Sequence, residues 1–565
     1  MHDDQHIARL YLLDQAIHQG YFYPRWVDTL GFSFGYPLFN FYPPFIYYLA
    51  ELFHLVGFSL VWSIKLMIIA GFLASAWGMF LFAKKRINPW GGLLAATLYS
   101  YSFYHAVLVY VRGAFAEFFT LAILPFVFLA FENLWEKPGT KNSVFFAIAF
   151  ALLVITHPLI AFPTIFFLAA FALFFLLRKM PNILETLRKA VEATILSLGL
   201  SAFFWLPSLF EKKYTLLGKI FTIELSDYRL HFVCPQQFLY SQWGFGGSIA
   251  GCFDGMTFQL GKVHIFLLLL AASLAVFYFI RKRRPDGNLS FFLLYSAFAL
   301  FATFMTTGYS QPIWKTVSYL QYLQFPWRFL GFTSFFISLS SAFGVYLFLK
   351  LARNNKWKKL IVVCTLGIIF FTAAYYQKYF HPAKYLIKKD RELTSFNEIA
   401  WRVSRTSFDF LPSGIPTTRS DLNTTIPKIT PQDLETRVFS VYKGSPRRVE
   451  ILKNTMREKE FNIDAPVPLE FWLYTFDFPG WKGYLNDKEI PITPNKTFKL
   501  ISVNIPEGYH HLRFVFEDTP VRKIANAISW VTFFLLLYLL AESKFKQIKR
   551  GLASGFNKPL NKFNR

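Results

Sequence analysis

About eleven long apolar runs constrain the fold of this chain more than any other feature of its sequence. They lie near residues 59–83, 90–106, 113–131, 143–157, 158–177, 190–207, 263–280, 289–306, 328–350, 358–376 and 524–541. As helices, such runs are long enough to cross a hydrocarbon layer of about 30 Å. Hydrophobic residues make up 54% of the chain and charged residues only 16%, too few to cover a soluble chain of this length. The pattern predicts a polytopic α-helical membrane protein.

The loops between these runs differ in charge, and basic residues are concentrated in every second loop. These loops contain Lys84 to Arg86, Lys137 and Lys141, Arg178 and Lys179 with Arg188 and Lys189, Arg281 to Arg284, Arg353 with Lys356 to Lys359, and the tail after Lys544. The positive-inside rule predicts that they are cytoplasmic and that the alternate loops are extracytoplasmic. The net charge of +25 does not indicate nucleic acid as a partner, because the basic residues are not gathered on one soluble face.

This alternation divides the chain into five parts of a multi-pass protein of the cell membrane. They are a first extracytoplasmic loop with juxtamembrane helices (1–58), a transmembrane domain (59–376) with extracytoplasmic loops 208–262 and 307–327, an extracytoplasmic β-rich domain (377–523), a last transmembrane helix (524–541) and a basic cytoplasmic tail (542–565). The first part is predicted to lie outside, yet no apolar helix precedes it. We therefore expect a further transmembrane helix upstream of Met1, missing from this sequence.

Local patterns predict the structure of the two largest extracytoplasmic parts. In the first loop, the apolar spacing of Arg9 to Ile17 and of Pro44 to Gly57 predicts two short helices on the membrane surface. Asn486-Asp487 between two β-like runs predicts a hairpin. Alternation typical of strands occurs in 437–442, 448–452, 469–476 and 512–516. We predict a β-sandwich-like domain outside the membrane.

The first candidate site is the sequence Asp3-Asp4-Gln5-His6. Adjacent carboxylates repel each other, so either one keeps a raised pKa and acts as a base, or a divalent cation such as Mg²⁺ or Mn²⁺ neutralises both. A carboxylate base would remove the proton of an acceptor hydroxyl that attacks a sugar. The alternative is a solvated helix start, where Asp is a common residue.

Further candidates lie where predicted helices meet the outer surface. Arg112 and Glu117 flank one such end, and an ionisable pair at that depth is costly unless it is paired or contacts an anion. His157 separates two predicted spans, and Gln324 and Arg328 lie where the chain re-enters the membrane. These five residues are candidate substrate-binding groups. The alternatives are snorkelling arginines, a turn histidine and an aromatic-belt anchor.

Two of the three cysteines, Cys234 and Cys252, lie in one predicted outer loop. They can pair if this loop faces an oxidising compartment, but the spacing alone does not decide it.

The chain resembles the GT-C superfamily of polyprenyl-phosphate-dependent membrane glycosyltransferases, and more closely the 6-pyruvoyl-tetrahydropterin synthase-related (YfhO-like) integral membrane family. The resemblance rests on Asp3 and His6 followed by GYFYPRW and GYPLFNFYPP, and on RGAFAE, the His157-Pro158 turn, the SQWGFGGS and DGMTFQLG segments, QFPWRFL, and PGW with DTPVR. It implies a lipid-phosphate sugar donor and an acidic base in the first outer loop. The spacing of Asp3 and His6 is similar to the family's, which favours Asp3 over Asp4.

The sequence thus predicts an integral membrane glycosyltransferase that transfers a sugar from a polyprenyl-phosphate donor to an extracytoplasmic glycan, lipid or protein acceptor. Asp3, Asp4 and His6 are the expected catalytic residues, with membrane lipid as the surroundings of the donor. A flippase for a lipid-linked saccharide, or a surface-assembly protein acting through residues 377–523, are the alternatives.

Overall fold

The computed structural model describes residues 3–178, 182–217, 227–282, 287–419 and 425–556, with side chains through residue 545. Parts of the predicted loop 208–262 and of the predicted tail 542–565 lie outside these ranges. The longer helices are α1 (His6–His18), α2 (Phe45–Leu55), α3 (Leu60–Arg86), α4 (Pro89–Ser100), α5 (Phe103–Ala106, continued by a π-helical turn Val107–Arg112), α6 (Phe115–Glu136), α7 (Thr140–Thr156), α8 (Pro158–Leu177), α9 (Ile183–Leu200), α10 (Ala202–Glu211), α11 (Lys262–Lys282), α12 (Gly287–Met305), α13 (Leu330–Leu351), α14 (Asn355–Tyr376) and α15 (Pro520–Phe556).

The helices coincide with the predicted apolar runs. Within the described residues, eight helices are long and apolar enough to cross a membrane, and two further spans arise if each of two bent helix pairs counts as one. The pairs are α4 with α5, bent by 42°, and α9 with α10, bent by 69°. The run at 143–157 forms α7, a shorter apolar helix. A polytopic helical membrane protein is therefore confirmed, but three of the predicted spans are broken or short.

Helix ends follow from residues that satisfy unpaired backbone N–H groups. The Ser59 hydroxyl accepts a hydrogen bond from the Trp62 N–H (3.3 Å) at the start of α3. The Asp390 carboxylate accepts one from the Leu60 N–H (2.7 Å). This second cap ties the chain after α14 back to the beginning of the helical bundle.

Helices α6 and α13 form the centre of the bundle. In each, 89% of the apolar segment is buried, against 17% for α14, which lies at the periphery. Phenylalanines fill the space between the central helices, as in the contacts of Phe128 with Phe335 and Phe336 (ring centroids 5.2 and 5.3 Å apart). The peripheral helices expose apolar side chains, as helices that face lipid do.

The first segment is not a pair of surface helices, as the sequence predicted, but part of the core. Seven of the thirteen residues of α1 are buried, including Arg9 and Leu10. Only α2 keeps an exposed apolar face, with Leu52 and Leu55 at 61% and 57% exposure. α1 is buried because it lies between the bundle and the chain near residues 404–407, with Gln5 donating to the Thr406 carbonyl oxygen (2.7 Å).

Trp26 joins the first segment to the β-domain. Its indole is fully buried and packs on Phe478, Trp481 and Phe516. Gly35, with φ of +89°, lies against this ring, where an added Cβ would come within 2.2 Å of it. The loop after α1 therefore packs closely between the helices and the sheets.

The β-domain consists of a sandwich of two antiparallel sheets and, before it in the chain, a separate pair of short strands. Its strands are β1 (Thr417–Arg419), β2 (Thr425–Pro427), β3 (Phe439–Lys443), β4 (Arg448–Asn454), β5 (Glu458–Ala465), β6 (Leu469–Phe476), β7 (Trp481–Leu485), β8 (Lys488–Ile490), β9 (Thr493–Pro494), β10 (Leu500–Ile505) and β11 (Gly508–Phe516). One sheet has the order β3-β6-β10-β9 and the other β4-β5-β11-β7-β8. Phe471 of the first sheet packs on Phe461 and Phe514 of the second.

The predicted strands and hairpin of this domain are confirmed. Asn486 and Asp487 adopt φ values of 47° and 64° between β7 and β8, as the two central residues of a type I′ turn do. The two sheets of the sandwich begin at β3, within the predicted domain 377–523. The described residues between 377 and 438 form irregular chain, short helical turns and the paired strands β1 and β2.

Two further contacts fix the loops on the side of the bundle that carries the sandwich. Cys234 and Cys252 form a disulfide, with their Cα atoms 5.6 Å apart. Glu211, at the end of α10, accepts hydrogen bonds from Asn40 (2.8 Å) and from the Arg522 Nε (2.9 Å) at the start of α15. Arg522 also donates to the Pro479 carbonyl oxygen (2.9 Å), just before β7. The start of α15 therefore holds the sandwich against α10, in addition to the packing around Trp26.

Candidate functional site

Two arginines converge on one buried carboxylate at the sandwich side of the bundle. Glu117 Oε2 accepts from Arg112 Nη1 at 2.7 Å and from Arg328 Nε at 3.2 Å. All three residues are at most 8% exposed. Two guanidinium groups and one carboxylate leave a net charge of +1, which makes this cluster a candidate anion site. The sequence predicted the three residues, and the structure brings them together.

Local backbone structure positions each member of this cluster. Arg112 ends the π-helical turn after α5, and Gly113 follows in the left-handed region with φ of 70°. Such π-turns are rare and often occur at functional sites. Glu117 lies in the first turn of α6, where the helix dipole favours a negative charge. Arg328 lies in the short turn that leads into α13.

Aromatic residues complete the cluster. The Tyr104 hydroxyl donates a hydrogen bond to Glu117 Oε1, so both oxygens of this carboxylate are occupied. Trp327 lies under Arg112, with its ring centroid 4.5 Å from the guanidinium carbon. Tyr104 was not predicted, because its apolar run also contains Tyr99 and Tyr101 and nothing in the sequence distinguishes the three.

Asp3 and Asp4 are adjacent in the sequence but lie in different surroundings. The Asp3 N–H donates to the Arg112 carbonyl oxygen at 2.8 Å, so Asp3 is fixed to the turn that carries the arginine. Asp4 is exposed and pairs with Arg402, which also binds Glu398. Asp3 is thus the carboxylate beside the cluster, and Asp4 belongs to a surface ion-pair group.

His6 is buried and has both ring nitrogens occupied. Its Nδ1 lies 3.0 Å from the Tyr47 hydroxyl and its Nε2 lies 2.6 Å from the Gly113 carbonyl oxygen. The ring also stacks on Phe115 at 4.3 Å. Burial, helped by the charge of Arg9, lowers the pKa of His6 to about 4. The imidazole therefore holds the Gly113 turn and is a positioning residue.

This pKa predicts how stability depends on pH. Between the pKa of an unfolded histidine, about 6.5, and the folded value of about 4, only the unfolded chain binds the proton. His6 therefore contributes stability that is present above pH 6.5 and is lost as the pH falls, by about 1.4 kcal/mol per pH unit. We expect His6→Gln to make the melting temperature less dependent on pH over this range. His381→Gln, at an exposed site, is the control, and equal pH profiles for wild type and His6→Gln would contradict the expectation.

A second polar group, which the sequence did not predict, surrounds Arg9. Its guanidinium donates to the Ser407 hydroxyl (2.9 Å) and lies 3.9 Å from the ring centroid of Tyr42. Asp409, two residues further along, is half-buried. Burial raises the pKa of Asp409 to about 6, while the charge of Arg9 lowers it and that of Asp3 raises it. Asp3 therefore lies within electrostatic range of a second carboxyl group, contributed by a segment about 400 residues away.

The remaining predicted residues, His157 and Gln324, lie around the cluster. His157 separates α7 from α8 and is within electrostatic range of Arg328, Glu117 and Arg112. Its Nδ1 is buried and has no hydrogen-bond partner within the described residues. Gln324 Oε1 lies 3.4 Å from Arg328 Nη1. Both residues can contact a ligand held by the arginines.

Comparison with known proteins bears on this site. Residues 39–380 match the model of a family described as the 6-pyruvoyl-tetrahydropterin synthase related domain, a membrane protein. The match covers more than half of the chain. The chain belongs to this family. No curated protein matches it.

The 6-pyruvoyl-tetrahydropterin synthase-related match includes part of the site. Arg112, Glu117, His157, Gln324 and Arg328 lie within the matched range 39–380, as does the bundle through α14. The acidic segment at the start of the chain and the sandwich lie outside it. The arginine cluster is therefore part of the family domain, and α1 and the β-domain are built around it.

The divalent cation considered from the sequence does not fit the residues present in this member of the 6-pyruvoyl-tetrahydropterin synthase-related family. The Asp4 carboxylate is paired with Arg402. Within the described ranges, no three His, Cys, Asp or Glu side chains form a group able to hold a metal ion.

Proposed function

We propose that the protein is a GT-C-type glycosyltransferase that moves a sugar from a polyprenyl-phosphate donor to an acceptor hydroxyl on the extracytoplasmic side of the cell membrane. One observation carries the proposal. Arg112 and Arg328 share the single carboxylate of Glu117, and this positively charged cluster lies beside the backbone of Asp3. A cationic pair next to a carboxylate is what the transfer of a sugar away from a phosphate requires.

The proposed reaction assigns one role to each charged group. The Asp3 carboxylate takes the proton of the acceptor hydroxyl while the hydroxyl oxygen bonds to C1 of the sugar. The bond between C1 and the phosphate oxygen breaks, and both of its electrons leave with the polyprenyl phosphate. The phosphate gains negative charge in this step, and Arg112 and Arg328 stabilise it.

Other residues hold this arrangement. Glu117 sets the distance between the two guanidinium groups, and His6 fixes the turn between Arg112 and α6. The His157 Nδ1 has no hydrogen-bond partner in the part of the chain that the structure describes. Both His157 and Gln324 are placed to contact a sugar or phosphate oxygen. The sandwich packs on the first segment through Trp26. It offers a surface on which a glycan, lipid or protein acceptor can bind.

Two features support the extracytoplasmic orientation. The ends of the bundle opposite the sandwich carry the basic loops, which the positive-inside rule assigns to the cytoplasm. The disulfide between Cys234 and Cys252 lies on the sandwich side, and disulfides persist in oxidising compartments. Both features favour a cell membrane location with the site and the sandwich outside.

Product analysis tests the proposal. We expect full-length protein in lipid vesicles, given labelled polyprenyl-phosphate sugars and envelope glycans, lipids or proteins as acceptors, to release polyprenyl phosphate and form a new glycosidic product. Vesicles without the protein and vesicles with heat-denatured protein are the controls. Movement of the labelled lipid across the vesicle without a product would instead identify a flippase. If the labelled lipid does not move and no product forms with any donor, the result favours an assembly protein.

A further inference from the structure

A cavity of about 510 Å³ lies at the opposite end of the bundle from the arginine cluster. It opens between α4, α11, α13 and α14, and its walls are formed mainly by apolar side chains. They include Leu94, Leu267, Gly344, Phe348, Leu360 and Cys364. Its volume is within the roughly 300–1,000 Å³ typical of ligand pockets.

Gly344 lines this cavity next to Ala271 of α11. An added Cβ at this position would make ordinary van der Waals contact with Ala271, at 3.7 Å, so a side chain can be added here without a clash. Leu360 on α14 lines the cavity and is 48% exposed. The cavity therefore opens sideways, toward the lipid-facing surface of the helices.

The mouth of the cavity carries positive charge. Arg353 lines it, in the turn between α13 and α14, and Lys356, Lys358 and Lys359 follow on the first turns of α14. Among the described residues, none of these four side chains forms an ion pair, and the sequence contains no Asp or Glu from 331 to 389. The N-terminus of α14 adds its own partial positive charge. An apolar groove with an unneutralised cationic mouth is complementary to an anionic amphiphile.

We propose that this groove binds one anionic phospholipid, with an acyl chain between α11, α13 and α14 and the phosphate at Arg353. The half-exposed Trp357 at the mouth lies at the level where tryptophan contacts lipid headgroups. The site is separate from the proposed reaction site. Arg328 precedes α13 and Arg353 follows it, and a 22-residue helix places them about 33 Å apart.

Cys364 provides a direct readout, because it lines the groove and is a free thiol. We expect its alkylation by a neutral maleimide to be slower in vesicles of phosphatidylglycerol than in vesicles of phosphatidylcholine. We also expect phosphatidylglycerol to be retained by the full-length protein in native mass spectrometry. Arg353→Gln is expected to weaken retention about fivefold, the effect of one basic residue at a lipid surface.

Two glycine variants distinguish loss of the groove from a general disturbance of α13 and α14. Gly344→Leu fills the groove and is expected to abolish both lipid retention and the protection of Cys364. Gly367→Leu, on α14 where an added Cβ meets nothing within 4 Å, is expected to change neither. Equal alkylation in the two lipids, or equal retention by both glycine variants and Arg353→Gln, would overturn the proposal. Because Arg353 is exposed, its variant tests the site even if Gly344→Leu does not fold.

Discussion

Replacing Glu117 by Gln is expected to destabilise the protein by about 3–5 kcal/mol, because it leaves two buried guanidinium groups without a carboxylate. Arg112 and Arg328 both donate to the same oxygen, Oε2, so a single substitution removes both ion pairs. A neutral amide can still accept one hydrogen bond, but it cannot compensate the charge. Thermal unfolding of the detergent-solubilised variant, followed by tryptophan fluorescence, measures the loss.

Glu136→Gln is the matched control, at the opposite end of α6. Glu136 pairs with Lys85 and Arg86, but Glu132 contacts the same two cations. One carboxylate therefore remains, and we expect a clearly smaller loss of stability. A double variant, Glu117→Gln with Arg112→Gln, should be less destabilised than the sum of its parts, because the second change removes an uncompensated charge. Equal losses for Glu117→Gln and Glu136→Gln would contradict the role given to Glu117.

The membrane helices were predictable because their signal is local. A span needs only about 20 consecutive apolar residues with internally satisfied backbone groups, and each apolar run in the sequence forms a helix. The breaks within two of the spans were harder to predict from the sequence. Ser201, between α9 and α10, and Ser102, before α5, are ordinary residues in an apolar run, so the sequence predicted straight spans at both places.

The position of the first segment was not predictable in the same way. Trp26 is buried by Phe478, Trp481 and Phe516, which lie more than 400 residues later in the sequence. Neither side of this contact carries a pattern that identifies its partner. Residues 1–58 therefore looked like a surface loop, although their aromatic content was a sign of burial.

The charged residues of the candidate site were partly predictable. Arg112 and Glu117 stand out because charged residues are rare at the ends of apolar helices, and Arg328 stands out for the same reason. Arg9 did not, since it lies in a polar segment where an arginine is expected at the surface. Its partner Ser407 and the neighbouring Asp409 lie in a segment that was assigned wholly to the β-domain.

Replacing Asp3 by Asn is expected to lower the rate of sugar transfer by roughly 10²–10⁴-fold, the usual contribution of a general base. An amide cannot take the proton of the acceptor hydroxyl. The backbone N–H of residue 3 would still donate to the Arg112 carbonyl oxygen, as in the native protein (2.8 Å). The turn and the arginine cluster are therefore retained, and binding of the polyprenyl-phosphate donor should be little changed. Initial rates and donor binding, measured on the same vesicles, distinguish loss of the base from loss of donor binding.

Two neighbouring carboxylates provide the controls for this assignment. Asp4→Asn breaks an exposed ion pair with Arg402, worth about 0–1 kcal/mol, and we expect it to leave transfer within a few-fold of wild type. Asp409→Asn removes the second carboxyl group near Arg9. If Asp409→Asn abolishes transfer and Asp3→Asn does not, the base is the residue contributed by the later segment. Undiminished transfer by all three variants would refute an acidic base in this region, while the product assay would still decide whether the protein is a glycosyltransferase.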